Sequence, residues 1–123
     1  MGQIMKKYLL DTNAVIDALN KGFKFPNNEY LISVITEIEL FSHSNLTLQD
    51  RENLKSAISQ FQSIELTSSI KEETIQIRQI SRIKLPDSII IATAINKNAI
   101  LVTADKQLIN SQIVKTILLD ELK

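Results

Sequence analysis

Acidic residues stand at four places in this chain where carboxylate chemistry could be done. "LLDTNAVIDAL" sets Asp11 one residue past a short apolar run, at the corner where helical periodicity begins with Ala14, Val15, Ile16, Ala18 and Leu19. In "RIKLPDSIIIATAI", Asp87 follows Pro86. Proline favours the first helical position, so Asp87 falls in the first turn and shares a face with Ile90, Ile91 and Ala94 at about 100° per residue. "ILVTADKQL" runs a buried-looking strand out into Thr103 and Asp105. "TEIELF" offers Glu37 and Glu39, which lie on nearly opposite sides of a helix and flank an expected stripe of Ile35, Ile38 and Phe41. Periodicity does not choose between these two.

Each acid also has a plain structural use. Asp11 suits a helix N-cap, a role worth about 1 kcal/mol, although Thr12 and Asn13 are competent caps nearer the helical residues. Asp87 becomes a cap if its helix starts one residue later, and Asp105 suits a turn. The combination is what points to chemistry. Two carboxylates about 5 Å apart repel by roughly 3 kcal/mol at an effective dielectric near 20, so gathering three or four requires a counter-ion. Hard oxygen donors without His or Cys favour Mg²⁺ or Mn²⁺ over zinc or copper, and such an ion keeps several waters and takes its remaining ligands from a phosphate.

The elements that would position these acids alternate regularly. Strand-like segments are Tyr8–Leu10, Tyr30–Ile35, Ile64–Leu66, Ala99–Thr103 and Thr116–Leu119. Helical stretches lie near Asn13–Asn20, Thr36–Ser42, Asp50–Phe61, Ser69–Arg82 and Pro86–Asn96, with Asp50 expected to cap the third and Thr67 or Ser68 the fourth. Short strands separated by helices call for parallel pairing through crossovers, hence an α/β sheet covered on both faces. In such sheets ligands bind outside the carboxyl ends of the strands, where Asp11 and Asp105 are expected.

Composition narrows the alternatives. A chain of 123 residues with 44% apolar content has room for one core, so one domain is expected over residues 1–123. There is no cysteine, which removes disulfide and thiolate-metal scaffolds and suits a reducing compartment. His43 is the only histidine; chemistry needing two imidazoles is excluded within one chain, and a Ser/His/Asp triad would have to use a residue in a polar helix-end setting. Gly2 and Gly22 are the only glycines, too few for a phosphate-cradling loop or a dinucleotide fingerprint, so no nucleotide cofactor is expected. "IIIATAI" is far shorter than a membrane span of roughly 20 residues, "YLL" is too short for a signal-peptide core, and "MGQIMK" lacks the Ser or Thr of a myristoylation signal. The expectation is a cytoplasmic protein without a membrane partner. Fourteen basic residues balance fourteen acidic ones, so polyanion binding would rest on local cations.

"LLDTNAVIDAL", "ISVITEIELF", "LPDSIIIATA" and "LVTADKQL", in this order and spacing, resemble the PIN domain family, particularly its short VapC-type toxins of toxin–antitoxin pairs. The resemblance implies a three-layer α/β/α sandwich with a central, mainly parallel five-stranded sheet. It implies an endoribonuclease dependent on Mg²⁺ or Mn²⁺, with Asp11, Glu39, Asp87 and Asp105 as metal-binding and catalytic acids. Thr12, Asn13 and Thr103 would be polar supports, and Lys84, with Arg82 and Lys21, would hold the RNA backbone. Hydrolysis by water would leave a 5′-phosphate and a 3′-hydroxyl, with no use for a histidine pair. The partners implied are RNA, a second copy in a homodimer, and a VapB-like antitoxin. The antitoxin's contact could be an apolar stripe at Leu54, Ile58 and Phe61, which packing of a helix on its own core explains equally well. Two other readings compete: a haloacid-dehalogenase-like phosphatase, which normally carries a second acid where this chain has Asn13, and a non-catalytic PIN-like RNA- or protein-binding module.

Overall fold

A computed structural model describes residues 5–123; Met1–Ile4, which include Gly2 and most of the "MGQIMK" hexapeptide, lie outside the described residues. The central sheet contains β1 (Lys7–Leu10), β2 (Glu29–Ser33), β3 (Gln62–Ile64), β4 (Ile100–Val102) and β5 (Thr116–Ile117). Their spatial order is β3-β2-β1-β4-β5 and every pairing is parallel. Reversal of direction from the central β1 places the topological switch point between β1 and β4, whose registers pair Leu10 with Val102.

Alternation along the strands supplies two cores. Leu9, Leu31 and Leu101 point to one face, where they meet α4 (Ser68–Ile80) through Ile70 and Ile77, α5 (Leu85–Asn96) through Ile90 and Ile91, and α6 (Lys106–Ser111) through Leu108. Tyr8, Leu10, Ile32 and Val102 point to the other, against α1 (Thr12–Lys21), α2 (Val34–Phe41), α3 (Leu48–Ile58) and the C-terminal Leu119 and Leu122. The result is the expected α/β/α sandwich. Residues Ser88 to Ala94 of α5 are buried all round, because that helix is wedged between α4 and the sheet rather than laid over it. Among the described residues no helix is long and apolar enough to cross a membrane.

Several boundaries differ from the sequence expectation for local reasons. β2 stops at Ser33, whose hydroxyl accepts the Ile35 amide at 3.1 Å and starts α2 two residues early. That turns the α2 stripe: Thr36 and Leu40 are its buried residues, while Ile38 is 55% exposed. Asp50 does not cap α3; Thr47 does, with Asp50 reaching back to the Thr47 amide in a reciprocal capping box at 3.0 Å each way. Thr67 caps α4 as expected. β3 lies two residues earlier than read, and the six-residue α6 was not anticipated, being too short to show a period. Ile58 and Phe61 are buried and Leu54 packs beside them. The stripe on α3 is therefore core rather than an exposed docking face.

Candidate active site

Asp11 follows β1 directly and its amide donates to the Val102 carbonyl at 3.1 Å, which fastens the ends of the two central strands together. Its carboxylate caps α1, accepting from the Ala14 amide at 2.8 Å. Capping and placement at the crevice are thus one arrangement, and Thr12 and Asn13 are the first helical residues. On the neighbouring strand end, Asp105 caps α6 by accepting from the Gln107 amide at 2.8 Å. Thr103, fully buried, takes the Asp105 amide on its oxygen at 3.0 Å and lends its hydroxyl to Asp11.

Glu39 arrives from α2. Its carboxylate accepts from the Thr12 hydroxyl at 2.6 Å, and that same oxygen of Thr12 lies 3.1 Å from the hydroxyl of Thr36. Between the two acids that periodicity left open, Glu39 is the one brought to Asp11 and Asp87; Glu37 is not among the charges they feel. Asp87 enters in the first turn of α5, with Pro86 just before it, and Lys84 at the N-cap position has no side-chain cap bond. Pro86 stands second in the helix rather than first, because the preceding Leu85 already has helical geometry.

The electrostatics of Asp11 and Asp87 point the same way. Burial pushes Asp11 above the ordinary carboxylate range, opposed by hydrogen bonds from Thr103 and the Ala14 amide, and the charges of Asp105 and Glu39 push it further up. Asp87 is raised chiefly by burial, then by Asp105, Asp11 and Glu39, with Lys84 pulling weakly the other way. Four acids from distant segments therefore share one electrostatic neighbourhood. Among the described residues none of the four is ion-paired to a lysine or arginine; the ion pairs present join Lys21 to Asp17 at 3.2 Å and to Asp120 at 3.7 Å. Lys21 thus has two acidic neighbours, whereas Arg82 and Lys84 are exposed without an ion pair among the described residues. His43 is exposed, two residues past the end of α2.

A cleft of about 420 Å³ opens beside Asp11 and Asp105, lined also by Asn13, Asp17, Leu118 and Asp120. Glu39 and Asp87 lie outside its lining, so the cleft takes in only two of the four acids. As they stand, no three acidic or imidazole groups among the described residues are close enough to share one ion. Asp11, Glu39 and Asp105 each hold a local donor. The donor set itself fits a hard divalent cation, being all oxygen and mutually repelling, with no lysine or arginine ion-paired to it among the described residues. Thr36, Asp17 and Asp120 escaped the sequence reading. The only signal for Thr36 was a hydroxyl one turn before Glu39, and that was masked by the misplaced stripe.

A family model described as the PIN domain matches residues 8–112. Among solved structures, the chain is similar to a protein in a toxin–antitoxin complex from Klebsiella pneumoniae, at 26% identity over 89% of this chain and 95% of that one, with a TM-score of 0.75. It is similar in fold to a chain of VapBC2 from Rickettsia felis bound to a DNA fragment from its promoter, at 24% identity, 90% and 97% coverage and a TM-score of 0.75. A third likeness in fold is to a chain of DNA-bound VapBC from Salmonella typhimurium, at 21% identity, 92% and 98% coverage and a TM-score of 0.73. No curated protein matches the sequence significantly. The family match spans most of the chain and the fold agrees with it throughout: the chain belongs to the PIN domain family.

Proposed function

We propose that this protein is the toxin of a VapBC-type pair and acts as a divalent-metal-dependent endoribonuclease. The observation that carries the reading is the gathering of Asp11, Glu39, Asp87 and Asp105 at the carboxyl edge of the sheet with no cationic side chain paired to them among the described residues. Those four residues would hold one or two ions, Mg²⁺ or Mn²⁺. When bound, a divalent cation supplies a lowered pKa for attacking water and neutralises charge that grows on the scissile phosphate.

The remaining work belongs to the chain's own side chains. Asp11, the most buried acid, anchors the site to the strand ends. Thr12 orients Glu39, and Thr103 ties Asp11 to the Asp105 turn. Lys84, beside Asp87 at the start of α5, would meet a phosphate of the RNA backbone, with Arg82 two residues before it. Asn13, on the cleft wall, offers both a donor and an acceptor to a substrate. With water as the nucleophile no imidazole pair is needed, and by analogy with the family the products would be a 5′-phosphate and a 3′-hydroxyl. A phosphatase reading lacks its second acid at Asn13 and stands outside the family match.

Partners follow from the relatives. Solved relatives occur in complexes with antitoxins, and a VapB-like antitoxin and a second copy of this chain are proposed here too, in the cytoplasm. The decisive experiment is cleavage of end-labelled RNA by the purified protein with Mg²⁺ or Mn²⁺. EDTA, Asp11→Asn and Asp87→Asn should each abolish it. Cleavage that survives both substitutions, or that EDTA leaves untouched, overturns the reading.

A further inference from the structure

We infer that Thr36 is a positioning residue for this site, acting through Thr12 on Glu39. The inference rests on the nuclease reading above but concerns a residue with no contact to substrate. Glu39 is exposed, and a glutamate on a helix surface samples many rotamers. Here its carboxylate is held by a single bond from the Thr12 hydroxyl at 2.6 Å. Thr12 is held in turn by Thr36, 3.1 Å away and 0% exposed.

Proton accounting fixes the direction of this chain. An ionised carboxylate only accepts, so the bond to Glu39 uses the one proton that Thr12 has. The Thr12 oxygen then faces Thr36 as an acceptor, and Thr36 must be the donor. Thr36 has no water to turn to, and Thr12 is its only side-chain partner among the described residues. The buried hydroxyl therefore locks the rotor of Thr12 in the orientation that commits its proton to Glu39. Position does the selecting as well. Thr36 and Glu39 are three apart on α2 and share a side of the helix, whereas Glu37 faces elsewhere.

The test pairs Thr36→Val, which keeps shape and removes the hydroxyl, with Thr36→Ser, which keeps the hydroxyl. Mn²⁺ affinity is read by electron paramagnetic resonance of the free ion, in the wild-type background and in Glu39→Gln. Thr36→Val should bind Mn²⁺ about tenfold more weakly, a size usual for supports of metal ligands. Thr36→Ser should restore most of it, and the valine effect should vanish in Glu39→Gln. A folded Thr36→Val protein with unaltered Mn²⁺ affinity, or a valine effect that persists undiminished in Glu39→Gln, overturns the inference. If the wild type binds no Mn²⁺, the nuclease reading fails first, and the ¹³C carboxyl resonance of Glu39 at pH 7 without metal still decides the inference. That resonance should move in Thr36→Val and stay in Thr36→Ser; an unmoved resonance in both refutes the relay.

Discussion

Asp11 and Asp105 stand at two copies of one local device. Each comes after a parallel strand, each caps the helix that follows, and each takes a backbone amide at 2.8 Å. The strands are neighbours, paired at Leu10 and Val102. Yet Asp11 is 5% exposed and Asp105 is exposed. Spacing explains the difference: Asp11 follows Leu10 immediately and stays within the sheet layer, while Thr103 and Ala104 carry Asp105 beyond it. β1 is also the central strand, so its end is walled on both sides. Similar capping chemistry thus yields one desolvated carboxylate and one wet one, and burial raises the cost of ionising Asp11.

The largest expected effect tests whether that difference matters to catalysis. Asp11→Asn should lower RNA cleavage by about 10²–10³-fold or more, the size seen when a group stabilising transition-state charge is removed. Asp105→Asn, at a solvated corner, should cost about tenfold. Single-turnover rates on one RNA at saturating Mg²⁺ give the comparison directly. Equal losses would mean that burial does not rank the two corners.

Metal-free stability should separate them in the opposite sense. Asp11 and Asp87 have folded pKa values above their unfolded ones, so the folded state binds protons more tightly than the unfolded state. Stability from this source is fully present below the unfolded value near 3.8 and is lost as pH rises through the folded values. Urea midpoints in EDTA should accordingly fall between acid and neutral pH in the wild type. The decline should be shallower in Asp11→Asn and Asp87→Asn, which should also be more stable than wild type at pH 7. A midpoint that climbs with pH contradicts the electrostatic account.

The sequence made some of this legible and hid the rest for physical reasons. Strand-then-acid spacing placed Asp11 and Asp105 at the sheet edge because parallel topology requires that edge, and Pro86 put Asp87 in a first helical turn. Periodicity failed on α2, where Ser33 ended β2 early and rotated the helix so that a threonine took the buried position expected of an isoleucine. Convergence of Glu39 on Thr12 joins residues 27 positions apart, and no local pattern encodes such a contact. The pairing of Lys21 with Asp120 is hidden for the same reason, although its i,i+4 partner Asp17 lies within reach of a helix rule.

Replacing the carboxylate differently isolates the cap. Asparagine caps a helix about as well as aspartate, whereas alanine does not, so Asp11→Ala should be about 1 kcal/mol less stable than Asp11→Asn. In a chain of this size that is a melting difference of about 3–6 °C. The same pair at Asp105 should differ by less, since the six-residue α6 contributes little to the core beyond Leu108. Equal differences at the two corners would place the distinction in charge alone.

The smallest expected effect comes from the residue that joins the corners. Thr103→Val fills the same space but removes both the acceptor of the Asp105 amide and the donor to Asp11. The Asp105 amide lies at an exposed residue and can turn to water, so its loss contributes little. The donor to Asp11 matters only while Asp11 is ionised. The substitution should therefore lower stability by about 1 kcal/mol at neutral pH and by less at acid pH, where a protonated carboxyl no longer needs the bond. Urea midpoints at the two pH values measure this directly. A loss of the same size at both would assign Thr103 to the Asp105 turn alone, and would leave burial of Asp11 without its main opposing bond.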